Sequence, residues 1–373
     1  MKRILFFITS LAGGGAEKVL VNLVNNLDKT KYEVTLLSLF DVGVNKQFLK
    51  DDVIYKSIFK KSFRGNIHLF KLFSPRFLYN KMIKDDYDIV VSYVQGPTTR
   101  IVAGCPHKNV KLVQWIHNEF HNKKKIANSY RNIKEAITLQ KRFDANVYVS
   151  NTVKDIYLNT FPELNNENTK NIVVYNVVES DTIIEKSKEP FDEFPFDENK
   201  INLITVGRLV PQKSYDRLLN VVHRLKEKNE IPFHLYILGD GELKSSLISQ
   251  CNQLGLNSCV TFLGYNPNPY KFVKNADLFV CSSLHEGFST AVTEALIVGT
   301  PVITTNCSGM TELLGNNEYG VITENNEQAL YEGLVNILNA NNLSHYKEAA
   351  AIRGKKFNKN ATILSAESVF NFN

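Results

Sequence analysis

The run His285-Glu-Gly-Phe-Ser-Thr-Ala-Val-Thr-Glu-Ala-Leu-Ile-Val-Gly-Thr-Pro-Val-Ile-Thr-Thr305 reads as a loop, a helix and a buried strand. Ser289 or Thr290 can cap the helix, and Thr293-Glu-Ala-Leu-Ile is a good helix-forming run. Gly299-Thr-Pro stops it, and the β-branched Val302-Ile-Thr-Thr has the character of a parallel strand buried on both faces. One carboxylate, Glu286, stands at the mouth of the helix, and a second, Glu294, lies along it. Eight residues of helical rise separate them by about 12 Å, roughly the reach of a ribose, a diphosphate and a hexose in line. A helix N-terminus offers unpaired N–H groups and partial positive charge to a phosphate. Two carboxylates flanking such a phosphate site predict a pocket for a nucleotide-linked sugar.

Outward from this run, the chain alternates short apolar strands with helices. That pattern predicts α/β architecture with two doubly wound parallel sheets. Strands are expected at Ile4–Ile8, Glu33–Ser38, Asp88–Tyr93, Lys111–Ile116, Ala145–Val149 and Asn171–Tyr175. A second series follows at Ile201–Val206, Phe233–Leu238, Val260–Phe262, Ala276–Cys281 and Val302–Thr304. Between the series lies a polar stretch punctuated by Pro and Phe. The expected division is therefore a first domain over 1–178, a linker over 179–200 and a second domain over 201–358, with a terminal segment 359–373.

A length of 373 residues suits two domains, and 43% hydrophobic with 22% charged residues are the proportions of a soluble globular protein. No apolar run reaches membrane-spanning length. The first residues resemble a signal peptide only superficially, since no small-residue cleavage site follows them. Five scattered cysteines without metal-ligand spacing read as reduced thiols of a cytoplasmic protein.

The net charge of +6 is unevenly spread: Val53 to Lys84 holds no acidic residue. Lys56, Lys60, Lys61, Arg64, Lys71, Arg76, Lys81 and Lys84 alternate there with Tyr55, Phe59, Phe63, Phe70, Phe73 and Phe77. Such a stretch over 53–84 suits an anionic membrane surface on the inner face of the cell membrane. It equally describes a solvated helix whose aromatics pack inward, and it suits nucleic acid less well. A second basic cluster, His121–Lys125, opens a helix expected to run to Arg142.

The Glu286-x7-Glu294 spacing within Glu-Gly-Phe-Ser-Thr-Ala-Val-Thr-Glu-Ala-Leu resembles the signature of the group 1, family 4 retaining glycosyltransferases of the GT-B fold. The resemblance implies two Rossmann-like domains facing a central cleft, with the last helices crossing back onto the first domain. Val206-Gly-Arg-Leu-Val-Pro-Gln-Lys213 resembles the family's Gly-Arg-Leu-x-x-x-Lys segment, in which Arg208 and Lys213 would grip a diphosphate beside Gly207. With these cations neutralising the leaving group, no metal and no cofactor are required. The resemblance further implies that Glu294 binds ribose hydroxyls and Glu286 those of the donor sugar. The backbone at Gly287, Phe288, Ser289 and Thr290 would approach the phosphates. Tyr265, in Leu263–Tyr270, lies where the family holds the base.

In the first domain, Leu11-Ala-Gly-Gly-Gly-Ala-Glu17 matches the family's glycine-rich loop, with Gly14 and Gly15 closing on the donor. Read alone it is a tight strand-to-helix turn, with neither a Walker lysine nor a dinucleotide fingerprint. His117 stands just after a strand, where the family places an active-site histidine. Gly309 and Glu312 match a further family pair. The expected activity is retaining, metal-independent transfer of a hexose or N-acetylhexosamine from a nucleoside diphosphate sugar, UDP above all. The acceptor is expected to be a lipid-linked precursor of a bacterial surface polysaccharide or glycolipid. The alternatives are a catalytically silent GT-B partner protein of a glycosylation complex and a nucleotide-sugar epimerase. A metal-dependent GT-A transferase is disfavoured, because Asp85-Asp-Tyr-Asp88 precedes a strand instead of following one.

Overall fold

The computed structural model describes residues 1–62, 65–190, 196–228 and 231–372. The chain divides into two compact units. One holds Met1–Val177 together with the segment from Asn360 onward, and the other holds Val178–Lys359.

The first unit is built on a parallel sheet of β1 (Lys2–Ile8), β2 (Tyr32–Phe40), β3 (Ile54–Phe59), β4 (Ile89–Tyr93), β5 (Lys111–Ile116), β6 (Ala145–Tyr148) and β7 (Lys170–Val173). Its order is β3-β2-β1-β4-β5-β6-β7. Strand β1 is flanked by β2 and β4, with Ile4 level with Val34 on one side and Ile89 on the other. The interior strands are almost wholly buried because helices cover both faces, so they read as continuous apolar runs without alternation.

The second unit repeats the scheme with β8 (Ile201–Val206), β9 (Phe233–Leu238), β10 (Val260–Gly264), β11 (Leu278–Cys281), β12 (Val302–Thr305) and β13 (Val321–Thr323), in the order β10-β9-β8-β11-β12-β13. Both sheets reverse direction beside their first strand, between β1 and β4 and between β8 and β11. In open parallel sheets a crevice forms outside the carboxyl ends at such a switch point, and ligands bind there. The two units are Rossmann-like, as the GT-B class requires.

Three features depart from the sequence reading. The stretch 179–200 is not a featureless connection: Ser180–Ser187 is a helix whose Ile183 packs with Tyr270 and Ile297 in the core of the second unit. Residues 191–195 of that stretch lie outside the described residues. The basic-aromatic stretch is not one solvated helix either. It begins as the half-exposed edge strand β3 and continues as helices Asn66–Leu72 and Pro75–Met82, with Phe63 and Arg64 outside the described residues. The helix expected from His121 to Arg142 breaks in two, Lys123–Ala127 and Ile133–Gln140, because the Asn132 side chain accepts from the Glu135 N–H and starts a new helix. All five cysteines are buried free thiols. No described helix is long and apolar enough to cross a membrane.

The carboxyl-terminal helix Lys359–Val369 and the residues after it complete the core of the first unit. Phe370 is fully buried, edge-on to Phe6 at 6.0 Å and to Tyr32 at 5.8 Å between ring centres. Lys2 Nζ donates to the Phe370 carbonyl, and the Asp28 N–H donates to Glu367. Phe370→Ala is therefore expected to destabilise the first unit by about 3–5 kcal/mol. Denaturant unfolding should show the earlier loss confined to the first unit's transition.

Candidate active site

In the second unit, the loops leaving β8 and β11 are stitched together across the switch point. The Leu284 N–H donates to Gln212 O at 2.8 Å, and Gln212 Nε2 donates to His285 O at 2.7 Å. Ser282 Oγ donates to Lys213 O at 2.8 Å. This fixes a short 3₁₀ turn, Pro211–Lys213, against the loop that carries Glu286. Lys213 Nζ then lies 2.6 Å from Glu286 Oε1, and Ser283 Oγ donates to the same oxygen at 2.7 Å. The lysine side chain is 21% exposed and the glutamate 9%. Burial works against the lysine's charge, but the Glu286 carboxylate outweighs it and holds the ammonium above its usual range.

Gly207 makes room for this pair. A methyl group there would stand 3.3 Å from Lys213 Cε and 2.9 Å from Tyr215 Oη. Ser289 is the helix cap: its Oγ accepts from the Val292 N–H, and Thr290 begins the helix Thr290–Ile297. Ser289, Ser283, Thr205, Tyr215 and Lys213 line one small pocket at this end of the sheet. Gly287 and Phe288 are met closely by Gly309, which adopts φ +76°; a side chain at Gly309 would press on the Gly287 carbonyl at 2.8 Å. Glu294 is buried on the helix, Arg208 is exposed with no ion-pair partner among the described residues, and Tyr265 is 59% exposed after β10.

The fold thus brings Gly207, Lys213, Glu286, Gly287, Phe288, Ser289 and Thr290 to one end of one sheet. Sequence reasoning missed Ser283, which orients Glu286. It also missed Thr305, Arg217 and Asn325, which hold the loop: Thr305 Oγ1 donates to Ser283 O at 2.6 Å, and Asn325, itself accepting from Arg217, donates to Leu284 O at 3.0 Å. None of these carries a motif. The only available signal was position, since Ser283 lies two residues after the end of β11.

In the first unit, Gly14 precedes the helix Gly15–Asn26 in an extended conformation, and a side chain at Gly14 would collide with the Glu17 carboxylate. The loop before it is held by Asn45, whose N–H donates to Leu11 O and whose side chain donates to Ala12 O. At the end of β4, Val94 has φ +72°, a strained conformation for a β-branched residue. It turns Gln95 so that its Oε1 accepts from the His117 N–H at 3.3 Å and its Nε2 donates to Trp115 O at 3.2 Å. The His117 ring sits 4.6 Å from that of Tyr93. Both are buried, and neither His117 Nε2 nor Tyr93 Oη has a partner among the described residues. Buried polar atoms ordinarily have partners, so this pair is unusual for a protein interior. Burial pushes His117 down to about 3 and lifts Tyr93 well above its usual range, leaving both neutral. Among the described residues no three His, Cys, Asp or Glu side chains are placed to hold a metal ion.

Comparisons with known proteins agree with the fold. The family model of glycosyl transferases group 1 matches residues 186–354, and that of glycosyltransferase family 4 matches residues 13–182. An uncharacterized glycosyltransferase of Methanocaldococcus jannaschii is 30% identical over 76% of this chain and 71% of its own. The N-acetylgalactosamine-N,N'-diacetylbacillosaminyl-diphospho-undecaprenol 4-alpha-N-acetylgalactosaminyltransferase of Campylobacter jejuni is 27% identical over 96% of each chain. An Anabaena protein crystallised with UDP and glucose superposes with a TM-score of 0.76 over the whole of both chains at 19% identity, which shows a shared fold. The chain belongs to the group 1, family 4 glycosyltransferases, has their GT-B fold and is a glycosyltransferase.

The neutral His117 has a pH consequence. Its folded pKa of about 3 lies below the unfolded value near 6.5, so between these values the unfolded chain binds the extra proton. The contribution is complete above about pH 6.5 and is lost as pH falls toward 3. Replacing His117 with Gln should flatten the fall in stability between pH 6.5 and 4, measured as the difference from the unaltered protein in denaturant midpoints at each pH.

Proposed function

We propose that this glycosyltransferase moves a hexose or N-acetylhexosamine from a UDP-sugar to a hydroxyl of a lipid-linked saccharide, with retention at the anomeric carbon and without a metal ion. The Lys213–Glu286 pair at the switch point carries the reading. A buried ammonium at the carboxyl ends of β8 and β11, beside the Ser289-capped helix start, suits the diphosphate. The exposed Arg208 adds a second cation close in sequence. Glu286, already oriented by Ser283, accepts hydrogen bonds from donor-sugar hydroxyls, and Glu294 from the ribose. Tyr265 is assigned to the base.

Charge developing on the departing diphosphate is neutralised by Lys213 and Arg208. The bond from the anomeric carbon to the phosphate oxygen breaks, the acceptor oxygen forms the new bond on the same face, and its proton passes to the departing phosphate oxygen. In the first unit, Gly14 and Gly15 let the backbone approach the donor, while His117 receives a sugar or acceptor hydroxyl, with the carbonyl after it stabilising positive charge on the ring. The UDP-bound Anabaena structure supports the choice of base, and the undecaprenol-linked acceptor named for the Campylobacter relative supports the choice of acceptor.

Calorimetry with UDP-, GDP- and ADP-sugars should find a UDP-sugar the tightest binder, and NMR of the product should show the donor's anomeric configuration. A GDP- or ADP-sugar preference would overturn the donor assignment. Lys213→Ala should lower kcat by about 10²–10³-fold, and Glu286→Gln should impair turnover more than Glu294→Gln. Turnover should be unchanged by EDTA, and strong inhibition would sink the metal-free mechanism.

A further inference from the structure

Helix Asn66–Leu72 ends in a turn whose carbonyls are capped by arginines from elsewhere in the chain. Arg100, only 1% exposed, donates from Nη1 to Phe70 O at 2.9 Å and from Nη2 to Phe73 O at 3.0 Å. Arg131 donates from Nε to Lys71 O at 2.7 Å and from Nη2 to Leu72 O at 3.0 Å. Glu135 ties the two together, pairing with the Arg100 guanidinium at 2.9 Å and accepting from the Arg131 N–H at 2.6 Å. Four consecutive carbonyls that would otherwise need water are thus held by two guanidinium groups.

What this clamp immobilises is apolar and faces outward. Leu69 is 44% exposed, Leu72 72%, Phe73 41% and Phe77 46%. Leu69, Leu72 and Phe73 share one side at i, i+3 and i+4 spacing, and Phe73 stacks on Phe77 at 5.4 Å. Phe70, between them, points inward and stacks on Phe59 at the carboxyl end of β3, the same end of the sheet as the glycine loop. The chain around the patch is basic: Lys71, Arg76, Lys81 and Lys84 lie within it, no Asp or Glu occurs from Val53 to Lys84, and the Glu135 carboxylate at the clamp is taken up by Arg100. A contiguous apolar patch rimmed by cations complements anionic headgroups over acyl chains.

We propose that this clamped turn is a membrane-docking surface, with Leu69, Leu72, Phe73 and Phe77 entering the headgroup–acyl boundary of a bilayer rich in anionic lipid. The rigid turn presents its apolar side chains already ordered, so little conformational freedom is lost on insertion. The inference stands on the patch itself. Its consequence, that a lipid-linked acceptor is met at the membrane, rests on the acceptor reading above.

The test is co-sedimentation of the full chain with phosphatidylglycerol vesicles and with phosphatidylcholine vesicles, for the unaltered protein and for Leu72→Ser/Phe73→Ser. The unaltered protein should bind the anionic vesicles and not the neutral ones, and binding should weaken with salt. The double substitution should lower vesicle affinity at least about tenfold, while thermal stability and UDP-sugar binding stay unchanged. Arg131→Ala, which releases two carbonyls of the turn, should weaken vesicle binding in the same direction. Equal binding by the double variant, no vesicle binding at all, or a salt-resistant dimer dissolved by the double substitution would each overturn the proposal. Vesicle binding intact but no transfer to a lipid-linked saccharide would fault the acceptor reading alone.

Discussion

Everything in the second unit that bears on chemistry depends on keeping one ammonium charged where water is scarce. Lys213 and Glu286 lie 73 residues apart in sequence and 2.6 Å apart in space. Removing one partner of such a buried pair typically costs about 3–5 kcal/mol, because the other charge is left stranded. The sheet supplies the required precision: β8 and β11 are neighbours, so their carboxyl-end loops meet, and three hydrogen bonds lock one loop to the other. The pair also fits a ligand that brings its own charge. On the proposed reading, a diphosphate would offer Lys213 a second anionic partner and sugar hydroxyls would offer Glu286 donors, so neither group would be stranded.

The first unit differs. Its sheet reverses beside β1 in the same way, but the groups gathered at the ends of β4 and β5 are uncharged, with Glu17 the nearby carboxylate: a strained Val94, the bridging Gln95, and Tyr93 and His117, whose buried polar atoms lack partners among the described residues. Strain of this kind persists only where the surroundings enforce it. Gln95 does so by bonding the backbone of β5 and of His117 together. One switch point is therefore suited to anionic phosphate and the other to uncharged hydroxyls, a division matching an enzyme that binds a nucleotide and a saccharide.

How much of this was legible beforehand follows from burial. Strands β5, β8 and β9 were bounded to the residue because they are rich in Leu, Ile, Val and aromatic residues, with only isolated polar residues inside them. The strands that escaped, β3 and β13, are edges: Ile54–Phe59 is half-exposed and interrupted by Lys56 and Ser57, and Val321–Thr323 is three residues long. The helix in 180–187 escaped because its apolar residues are few and their partners, Tyr270 and Ile297, lie far along the chain. Lys213, Glu286 and the glycines were legible through a family pattern. Ser283, Gln95 and the Arg100–Arg131 clamp were not, since each acts through a backbone carbonyl or a neighbour's side chain, and sequence spacing does not encode such contacts.

The neutrality of His117 also narrows the proposed chemistry. An imidazole whose protonated form appears only near pH 3 is a weaker base than its sequence position suggests. Burial thus favours a part in orienting a hydroxyl over one in deprotonating it. A departing diphosphate oxygen, carrying charge and lying on the face from which the acceptor attacks, is the more basic group available. The same burial that keeps His117 neutral leaves its Nε2 without a partner among the described residues, and on the proposed reading a sugar or acceptor hydroxyl would satisfy it.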